Sequence, residues 1–366
     1  MSDCAFVNLS SFAYKLFSSL AAEDNVLISP ISISSALALA SAGATANSSC
    51  LKEFHSVLSM NSHEDVPLLS KHLLDSAAKD GIKLTTANGV WTKDLKPSYI
   101  STVEKVHDAK ADVLPQTYGP IDKFINEKTN GLIKDMLVGD IDPLVVGVLV
   151  NAVYFKGSWM EKFDEFNTYE KLFTCADGNS KPAKFMFAER KMQFLEEVDS
   201  LDNASIVKLD YGSHKKDDVS MDEEAEFSAL FILPKDEGKD GMQSVIKQLE
   251  AIHSDNSGES ELGAILDDMK QPRKVKLHLP RFKMEYGVKS IKDELKALGL
   301  KTCFQEDNGF LEMSNDPKVY LDDVLHKAVM EVSEEGTEAA AATAAIVMTR
   351  SMPMIPTPSL YLIVHF

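Results

Sequence analysis

The pattern of apolar and polar positions divides the chain into a helix-rich first third and a strand-rich remainder. Near the N-terminus, apolar residues recur at helical spacing and predict a helix; they are Leu9, Phe12, Ala13, Leu16, Phe17 and Leu20. A second helix is predicted to begin at Ser29 and Pro30, because proline fits the first helical turn, where its missing N–H costs no hydrogen bond. The small residues after Pro30 would let another backbone approach closely.

Further along the chain, β-branched and apolar runs predict buried strands. These runs are residues 84–92 (LTTANGVWT), 145–157 (VVGVLVNAVYFKG) and 227–234 (FSALFILP). Residues 275–282 (VKLHLPRF) alternate apolar and polar side chains, which indicates a half-exposed antiparallel strand. A helix follows in residues 289–300 (KSIKDELKALGL), and the sequence closes with a predicted strand, SLYLIVHF. Helices and long strands without regular βαβ alternation predict an α+β fold.

The charge balance excludes several classes of partner. The chain has 366 residues, and 38 Lys and Arg stand against 56 Asp and Glu, for a net charge of −18. A nucleic-acid-binding protein needs a basic surface, so no nucleic-acid partner is predicted. The sequence has no apolar run long enough to span a bilayer, so no membrane insertion is predicted.

The cysteines and histidines form no disulfide or metal pattern. Four cysteines lie far apart, which indicates free thiols in a reducing compartment; they are Cys4, Cys50, Cys175 and Cys303. The first residues lack the basic region and cleavage site of a signal peptide, so we predict a cytoplasmic protein, or one exported without a classical signal peptide. The nine histidines lack metal-ligand spacing, so no metal and no other cofactor is predicted.

Catalytic signatures are missing as well. The sequence contains no nucleophile elbow, phosphate-binding glycine loop or zinc-protease motif, and the chain is therefore predicted not to be an enzyme. His326 lies in an apolar, strand-like run (DDVLHKAVMEV). A catalytic role and a core role compete for this residue, and its apolar neighbours favour the core. A core histidine needs a buried partner such as a Ser hydroxyl or an Asn side chain.

The most unusual segment is residues 331–353, EVSEEGTEAAAATAAIVMTRSMP, which carries little core-forming surface. Its alanines favour a helix by propensity, but a short helix without an apolar face is marginal in water. As a strand, the segment has small side chains on both faces, and it would fit between two existing strands. Arg350 and Ser351 follow, a basic residue in a loop of the kind that trypsin-like proteases cleave.

In this segment the chain resembles the serpins, serine protease inhibitors that trap their targets by loop insertion. EVSEEGTEAAAAT is similar to the hinge of that family, and HKAVMEV to the strand before it. Similar motifs occur in order along nearly the whole chain, at residues 25–44, 124–133, 149–159 and 277–288. The resemblance implies one serpin domain over residues 1–366, with three β-sheets, about nine helices and an exposed reactive-centre loop over about 334–355.

What the resemblance implies for function is a suicide-substrate inhibitor of trypsin-like proteases. Arg350 takes the scissile position with Ser351 next to it, and Met348, Thr349 and Met352 would contact neighbouring subsites. A protease serine would attack the Arg350 carbonyl to form an acyl-enzyme, and the freed hinge would insert into the main sheet. The native state would therefore be metastable. The implied hinge residues are Glu334, Gly336, Thr337, Glu338, Ala339, Ala340, Ala341 and Ala342.

The resemblance also implies structural sites beneath the reactive loop. Ser29, Ser32, Asn151 and His326 would form the shutter, a buried hydrogen-bond cluster under the main sheet, and Trp159 would lie at the breach, where the sheet first opens. The expected partner is a trypsin-like serine protease bound covalently to a monomeric chain. Heparin is not expected to bind, because the lysines after Glu53 are dispersed among acids.

The alternative is a non-inhibitory serpin that acts as a binding, storage or chaperone-like protein and is cleaved as a substrate. The small hinge residues oppose it, since non-inhibitory members carry bulky or charged residues there. The resemblance leads us to expect two departures from the family pattern: the apolar strand that normally follows SLYLIVHF is expected to be missing, which favours the alternative, and residues 351–358 look short, with Ser359 in place of the usual Phe. Separately, an acidic stretch over 215–226 looks inserted relative to the family.

Overall fold

The computed structural model describes most of the chain, with gaps. The described residues are 3–20, 25–60, 62–79, 82–175, 179–202, 204–212, 227–236, 238–254, 264–337 and 361–363.

Helices dominate the first third, as the apolar periodicity predicts. The opening helix, α1, spans Asp3–Leu20, and α2 spans Pro30–Ser41 with its proline in the first turn. Nearly every residue of α2 is buried, which explains its run of Ser, Ala and Leu, because only small side chains allow close packing on all sides. The other helices within the described ranges are α3 (Ser49–Leu58), α4 (Asp65–Lys79), α5 (Pro97–Val106), α6 (Gly119–Lys128), α7 (Gly238–Ser254), α8 (264–268) and α9 (Lys292–Ala297).

Within the described residues the main sheet has six strands, in the order β2-β1-β3-β11-β10-β9. Nearly every residue of the central strand β3 is buried, because α2 packs on one face of the sheet and α6 on the other. The strands of this sheet are β1 (Lys83–Thr92), β2 (Lys110–Val113), β3 (Gly147–Ser158), β9 (Phe282–Ser290), β10 (Asp323–Ser333) and β11 (Gly336–Thr337).

The remaining strands form two sheets that share one long strand, β5. The first part of β5 pairs with β4 and β8, and its last part pairs with β6. Strand β7 continues this second ladder and carries β12 at its edge. The strands are β4 (Tyr169–Thr174), β5 (Ser180–Val198), β6 (Ala204–Asp210), β7 (Ser228–Leu233), β8 (Arg273–Pro280) and β12 (Tyr361–Ile363).

The elements predicted from the apolar pattern are present with small shifts at their ends. The three buried runs become β1, β3 and β7, and the alternating run becomes β8, which pairs antiparallel with β5. The helix α9 is followed by Gly299 at φ +115°, a left-handed conformation that favours glycine and ends the helix. The α+β prediction is confirmed, and so is the arrangement in three sheets.

Candidate functional site

The predicted hinge begins as a tight hairpin at the end of β10. Strand β10 ends at Ser333, the chain reverses over Glu334 and Glu335, and β11 returns antiparallel through Gly336 and Thr337. The Ser333 hydroxyl donates to the Gly336 carbonyl at 3.2 Å and fastens the hairpin. Because of this reversal, the chain leaves the hairpin pointing into the main sheet.

The hairpin occupies a gap between the two central strands of the main sheet. Strands β3 and β10 pair directly and parallel over seven residue pairs, from Val148 with Asp323 to Tyr154 with Val329. Beyond Tyr154 the strands separate, and β11 lies between them with antiparallel pairing to both. The two residues of β11, Gly336 and Thr337, therefore already lie in a central position of the sheet.

Gly336 is required at this position by both space and backbone conformation. Its φ is +145°, which side-chain-bearing residues rarely adopt. A Cβ atom there would lie 2.1 Å from the Gly157 carbonyl oxygen and 2.6 Å from the Ser158 Cα atom. These are backbone atoms of β3, so any other residue would push the hairpin out of the sheet.

Thr337, the last described residue of the hinge, is fully buried against an aromatic pair. Its hydroxyl lies 2.8 Å from the Tyr211 hydroxyl, and burial raises the pKa of Tyr211, which keeps the phenol neutral. The Tyr211 ring stacks on Trp159 with centroids 4.6 Å apart and planes at 12°. The Trp159 indole donates to the Ser333 carbonyl at 2.9 Å. Trp159 therefore lies at the opening between β3 and β10, under the hairpin.

The Glu334 side chain is a buried carboxylate with two partners. It is 5% exposed, accepts a hydrogen bond from the Thr168 hydroxyl at 2.7 Å and lies 3.6 Å from an Arg281 guanidinium nitrogen. A buried carboxylate is tolerated only when it is paired in this way. The pairing anchors the start of the hinge to β9 on one side and to the segment after β3 on the other.

One segment, residues 159–168, wraps the hairpin and is partly or fully exposed apart from Trp159 and Phe163; we call it the clamp turn. The Trp159 amide donates to the Glu335 carbonyl, and the Phe163 amide donates to the Glu334 carbonyl, each at 3.0 Å. The Lys162 ammonium pairs with the Glu335 carboxylate. The clamp turn thus fixes the backbone of Glu334 and Glu335, the two residues that precede β11.

A second polar site lies deeper, beneath the seven paired residues of β3 and β10; we call Ser32, Asn88, Asn151 and His326 the polar cluster. The side-chain amide nitrogen of Asn151 donates to the Ser32 hydroxyl at 2.5 Å and to the side-chain oxygen of Asn88 at 2.6 Å. The side-chain oxygen of Asn151 lies 2.6 Å from His326 Nδ1. Asn151 and His326 are also register partners, so their side chains join the two strands across the line where the sheet would open.

The sequence does not predict one member of this cluster, Asn88, and it assigns to the cluster a residue that makes no bond in it, Ser29. Asn88 is buried in β1, and an amide in a strand interior is unusual, which is the one signal that could have found it. Ser29 was predicted to belong to the cluster, yet its buried hydroxyl has no hydrogen-bond partner among the described residues. Ser29 instead precedes the first turn of α2 with an extended backbone, and its carbonyl accepts from Ile33.

His326 makes the native state sensitive to acid. Burial lowers its pKa to about 4, and the nearby Leu27 backbone opposes the shift only in part. In an open or unfolded form His326 has a pKa of about 6.5, so between about pH 6.5 and 4 that form binds a proton that the native form does not bind. Native stability is therefore unaffected above about pH 6.5 and falls by up to about 1.4 kcal/mol per pH unit between about 6.5 and 4.

We expect His326→Asn to flatten this acid dependence, because asparagine keeps a polar group near Asn151 without a titrating ring. The measurement is the rate at which native monomer disappears on native gels between about pH 7.5 and about pH 5. The wild-type chain should lose monomer faster as the pH falls, and the variant should change much less. An equal acid response in both proteins would contradict the assignment to His326.

Several predicted site residues lie outside the described part of the chain. They comprise the later hinge residues, the scissile pair and its neighbours, together with the acidic stretch 215–226. By name they are Glu338, Ala339, Ala340, Ala341, Ala342, Met348, Thr349, Arg350, Ser351 and Met352.

The described residues contain neither a membrane-spanning helix nor a metal-binding cluster. None of the helices in those ranges is long and apolar enough to cross a membrane. No group of three or more His, Cys, Asp or Glu side chains in the same ranges could hold a metal ion.

Comparisons with known proteins agree on one family. The family model described as Serpin (serine protease inhibitor) matches residues 7–360. A curated protein named Serpin-ZX from Arabidopsis thaliana is 31% identical over 94% of this chain and 87% of its own length. Another, named Serine protease inhibitor, from Cyanea capillata, is 33% identical over 97% of this chain and 93% of its own.

Solved structures give the same result for the fold. The Arabidopsis protein AtSerpin1 in its native stressed conformation superposes with a TM-score of 0.73 at 27% identity, covering 93% of this chain and 86% of that one. Maspin superposes with a TM-score of 0.75 at 27% identity, covering 93% and 89%.

Proposed function

Because the chain belongs to the serpin family, we propose that it inhibits trypsin-like serine proteases as a suicide substrate. The family model and the curated relatives support protease inhibition at the level of the family. The finer elements of the proposal are the protease class, the scissile bond between Arg350 and Ser351, and trapping by insertion of the loop.

The observation that carries the proposal is the position of β11. Two hinge residues already lie between β3 and β10 and pair antiparallel with both. Continued insertion would replace the parallel ladder of β3 and β10 by two antiparallel ladders, and antiparallel pairing is slightly more stable per residue. The starting geometry for adding a strand is thus present at the correct end of the sheet.

The side chains that follow Thr337 suit this movement. Residues 338–345 are alanines apart from Glu338 and Thr343, so a strand made of them needs little space on either face. An insertion along the full twelve residues of β3 would carry the chain roughly 40 Å at 3.3 Å per residue. A protease held by an ester bond to Arg350 would be carried the same distance.

Arg350 determines the protease class in this proposal. A guanidinium is recognised by a specificity pocket with an acidic base, as in trypsin. Attack of the protease serine on the Arg350 carbonyl forms an acyl-enzyme and releases the amine of Ser351. Insertion must then be faster than hydrolysis of the ester by water. The fraction of protease that is trapped therefore depends on how fast the loop inserts beyond β11.

The test is to mix the protein with trypsin and analyse the products on a denaturing gel and by mass spectrometry. We expect a covalent complex that survives boiling, together with a released peptide that begins at Ser351. Residual trypsin activity should fall in proportion to the complex formed. The control is the catalytically inactive serine-to-alanine trypsin, which should give no covalent product.

Cleavage at Arg350 with trypsin left fully active would overturn trapping. It would favour the alternative, a non-inhibitory serpin acting as a binding, storage or chaperone-like protein. Complex formation with a released peptide that begins elsewhere would retain inhibition and overturn Arg350 as the scissile residue.

A further inference from the structure

We propose that Phe166, in the clamp turn, is a docking contact for the target protease outside the reactive loop. This inference rests on the proposed function. Phe166 is 97% exposed, the highest value among the large apolar side chains of the described residues. Exposed phenylalanine is unfavourable in water, and aromatic side chains are enriched where proteins bind one another.

The location of Phe166 assigns the occupant. The clamp turn that carries Phe166 also holds the backbone of Glu334 and Glu335. Arg350 follows thirteen positions after Thr337, where the described hinge ends. A protease domain of about 220 residues has a radius of gyration of roughly 17 Å. Thirteen residues span at most about 45 Å, so a protease bound at Arg350 is tethered within reach of the clamp turn and of Phe166.

The local backbone presents the ring in a fixed position. The Asp164 carboxylate accepts a hydrogen bond from the Phe166 amide at 3.0 Å, in a short 3₁₀ turn. Phe163 is buried in the same turn and anchors it, with the Arg190 guanidinium 5.4 Å from the centre of its ring. The backbone that carries the exposed ring is thus fixed, which lowers the entropic cost of docking.

Charge around Phe166 specifies the chemistry of the partner surface. Residues 161–170 contain four acids, Glu161, Asp164, Glu165 and Glu170, against the single base Lys162. Glu161 pairs with Arg190 at 3.1 Å and Lys162 pairs with Glu335, so Asp164, Glu165 and Glu170 supply the excess negative charge beside Phe166. All four carboxylates are on exposed residues, and the whole chain carries a net charge of −18. The complementary surface is an apolar depression rimmed by Lys and Arg, beside the active site of a basic protease.

The contact would act only during encounter. Insertion of the loop carries the protease away from the clamp turn, so docking at Phe166 speeds the first step without changing the later competition between trapping and hydrolysis. Phe166 should therefore affect how fast the intact chain is consumed, and should leave the ratio of covalent complex to cleaved chain unchanged.

The experiment compares Phe166→Ala with Leu144→Ala. Leu144 is 81% exposed and precedes β3, so it lies beyond the opposite end of that strand from the hinge. The measured quantity is the second-order rate of loss of intact chain with cationic trypsin, counting complex and cleaved products together. We expect Phe166→Ala to slow this loss about tenfold and Leu144→Ala to leave it within about twofold of the wild type.

Surface charge gives a second comparison. Anionic trypsin has the same specificity pocket with an acidic surface, and with it the difference between wild type and Phe166→Ala should shrink to about twofold or less. Raising the salt concentration should reduce the advantage of the wild type with the cationic form, because exposed charges are screened.

Three outcomes would overturn the proposal. The intact Phe166→Ala chain could be lost at the wild-type rate with both trypsins, or its loss could be slowed by the same factor with both. The variant could also change the ratio of complex to cleaved chain, which would indicate a disturbed hinge. Failure of the inhibitor proposal is distinguishable, because total loss of intact chain is measured even when no covalent complex forms.

Discussion

Replacing Thr337 with arginine (Thr337→Arg) should abolish trapping while leaving cleavage of the reactive loop intact. We expect the yield of covalent complex with trypsin to fall below about a tenth of the wild-type yield, with active trypsin and cleaved chain as the products. A penalty of about 3 kcal/mol on insertion is enough, because each 1.36 kcal/mol is tenfold in rate.

The physical reason is the burial of position 337. Thr337 is 0% exposed, and its hydroxyl bonds Tyr211 between β3 and β10. An arginine there must either bury an unpaired guanidinium beside Tyr211 and Trp159 or leave the sheet, and burying an unpaired charge costs several kcal/mol. Acylation precedes insertion, so attack on Arg350 proceeds and deacylation then wins the competition.

The matched control is Thr337→Ser, which keeps the hydroxyl and its bond to Tyr211 while removing only a methyl group. It should form complex at close to the wild-type yield. The two products are measured together as complex and cleaved chain on a denaturing gel, with residual trypsin activity alongside. A complex yield above about half of wild type for Thr337→Arg would show that trapping does not require position 337 to be buried in the sheet.

Most helices and strands of the fold can be predicted from local patterns in the sequence. The apolar spacing before Leu20 predicts α1, and the β-branched run around Asn151 predicts β3, because periodicity reports which face is buried. The long strand β5 is not predicted as one element, since its polar and apolar residues match neither face consistently. It serves two sheets, and its burial pattern changes along its length.

The site is only partly predictable, because its contacts join residues that are far apart in the chain. Ser32, Asn151 and His326 are found through family motifs, and their hydrogen bonds span 119 and 175 positions. The bond from Thr168 to Glu334 spans 166 positions, and no local feature of the sequence at Thr168 indicates it. The run of small residues predicts that the hinge can insert, but the contacts of Thr337 with Gly157 and Tyr211 are not evident from the sequence.

Replacing Asn151 with alanine (Asn151→Ala) should accelerate the loss of native monomer by at least about a hundredfold. Asn151 bonds three members of the polar cluster across the line between β3 and β10. Each buried polar group left without a partner costs about 1–3 kcal/mol, so the native state is destabilised by about 4 kcal/mol. The cluster has to break before the sheet can open, so most of this energy lowers the barrier to opening.

The expected products identify the opening as the affected step. With β3 and β10 no longer held together, the loop can enter the sheet of its own molecule, or a strand from a second molecule can enter instead. We therefore expect inactive monomer and polymers on native gels, with loss of complex-forming activity at the same rate. Ser32→Ala removes one acceptor of the same cluster and should give a smaller acceleration of about tenfold.

The matched control is Val150→Ala, one residue away in the same strand. Val150 is 1% exposed and faces the opposite side of the sheet, where it packs beneath α6 with Ile121 and Ile125. It loses core packing without touching the polar cluster, so general destabilisation should lower thermal stability in both variants. Only Asn151→Ala should convert rapidly to inserted monomer and polymer, because only this change removes the side-chain link between β3 and β10. Equal conversion rates for the two variants would mean that the native state is held by bulk packing, and the polar cluster would lose its role as the lock on the sheet.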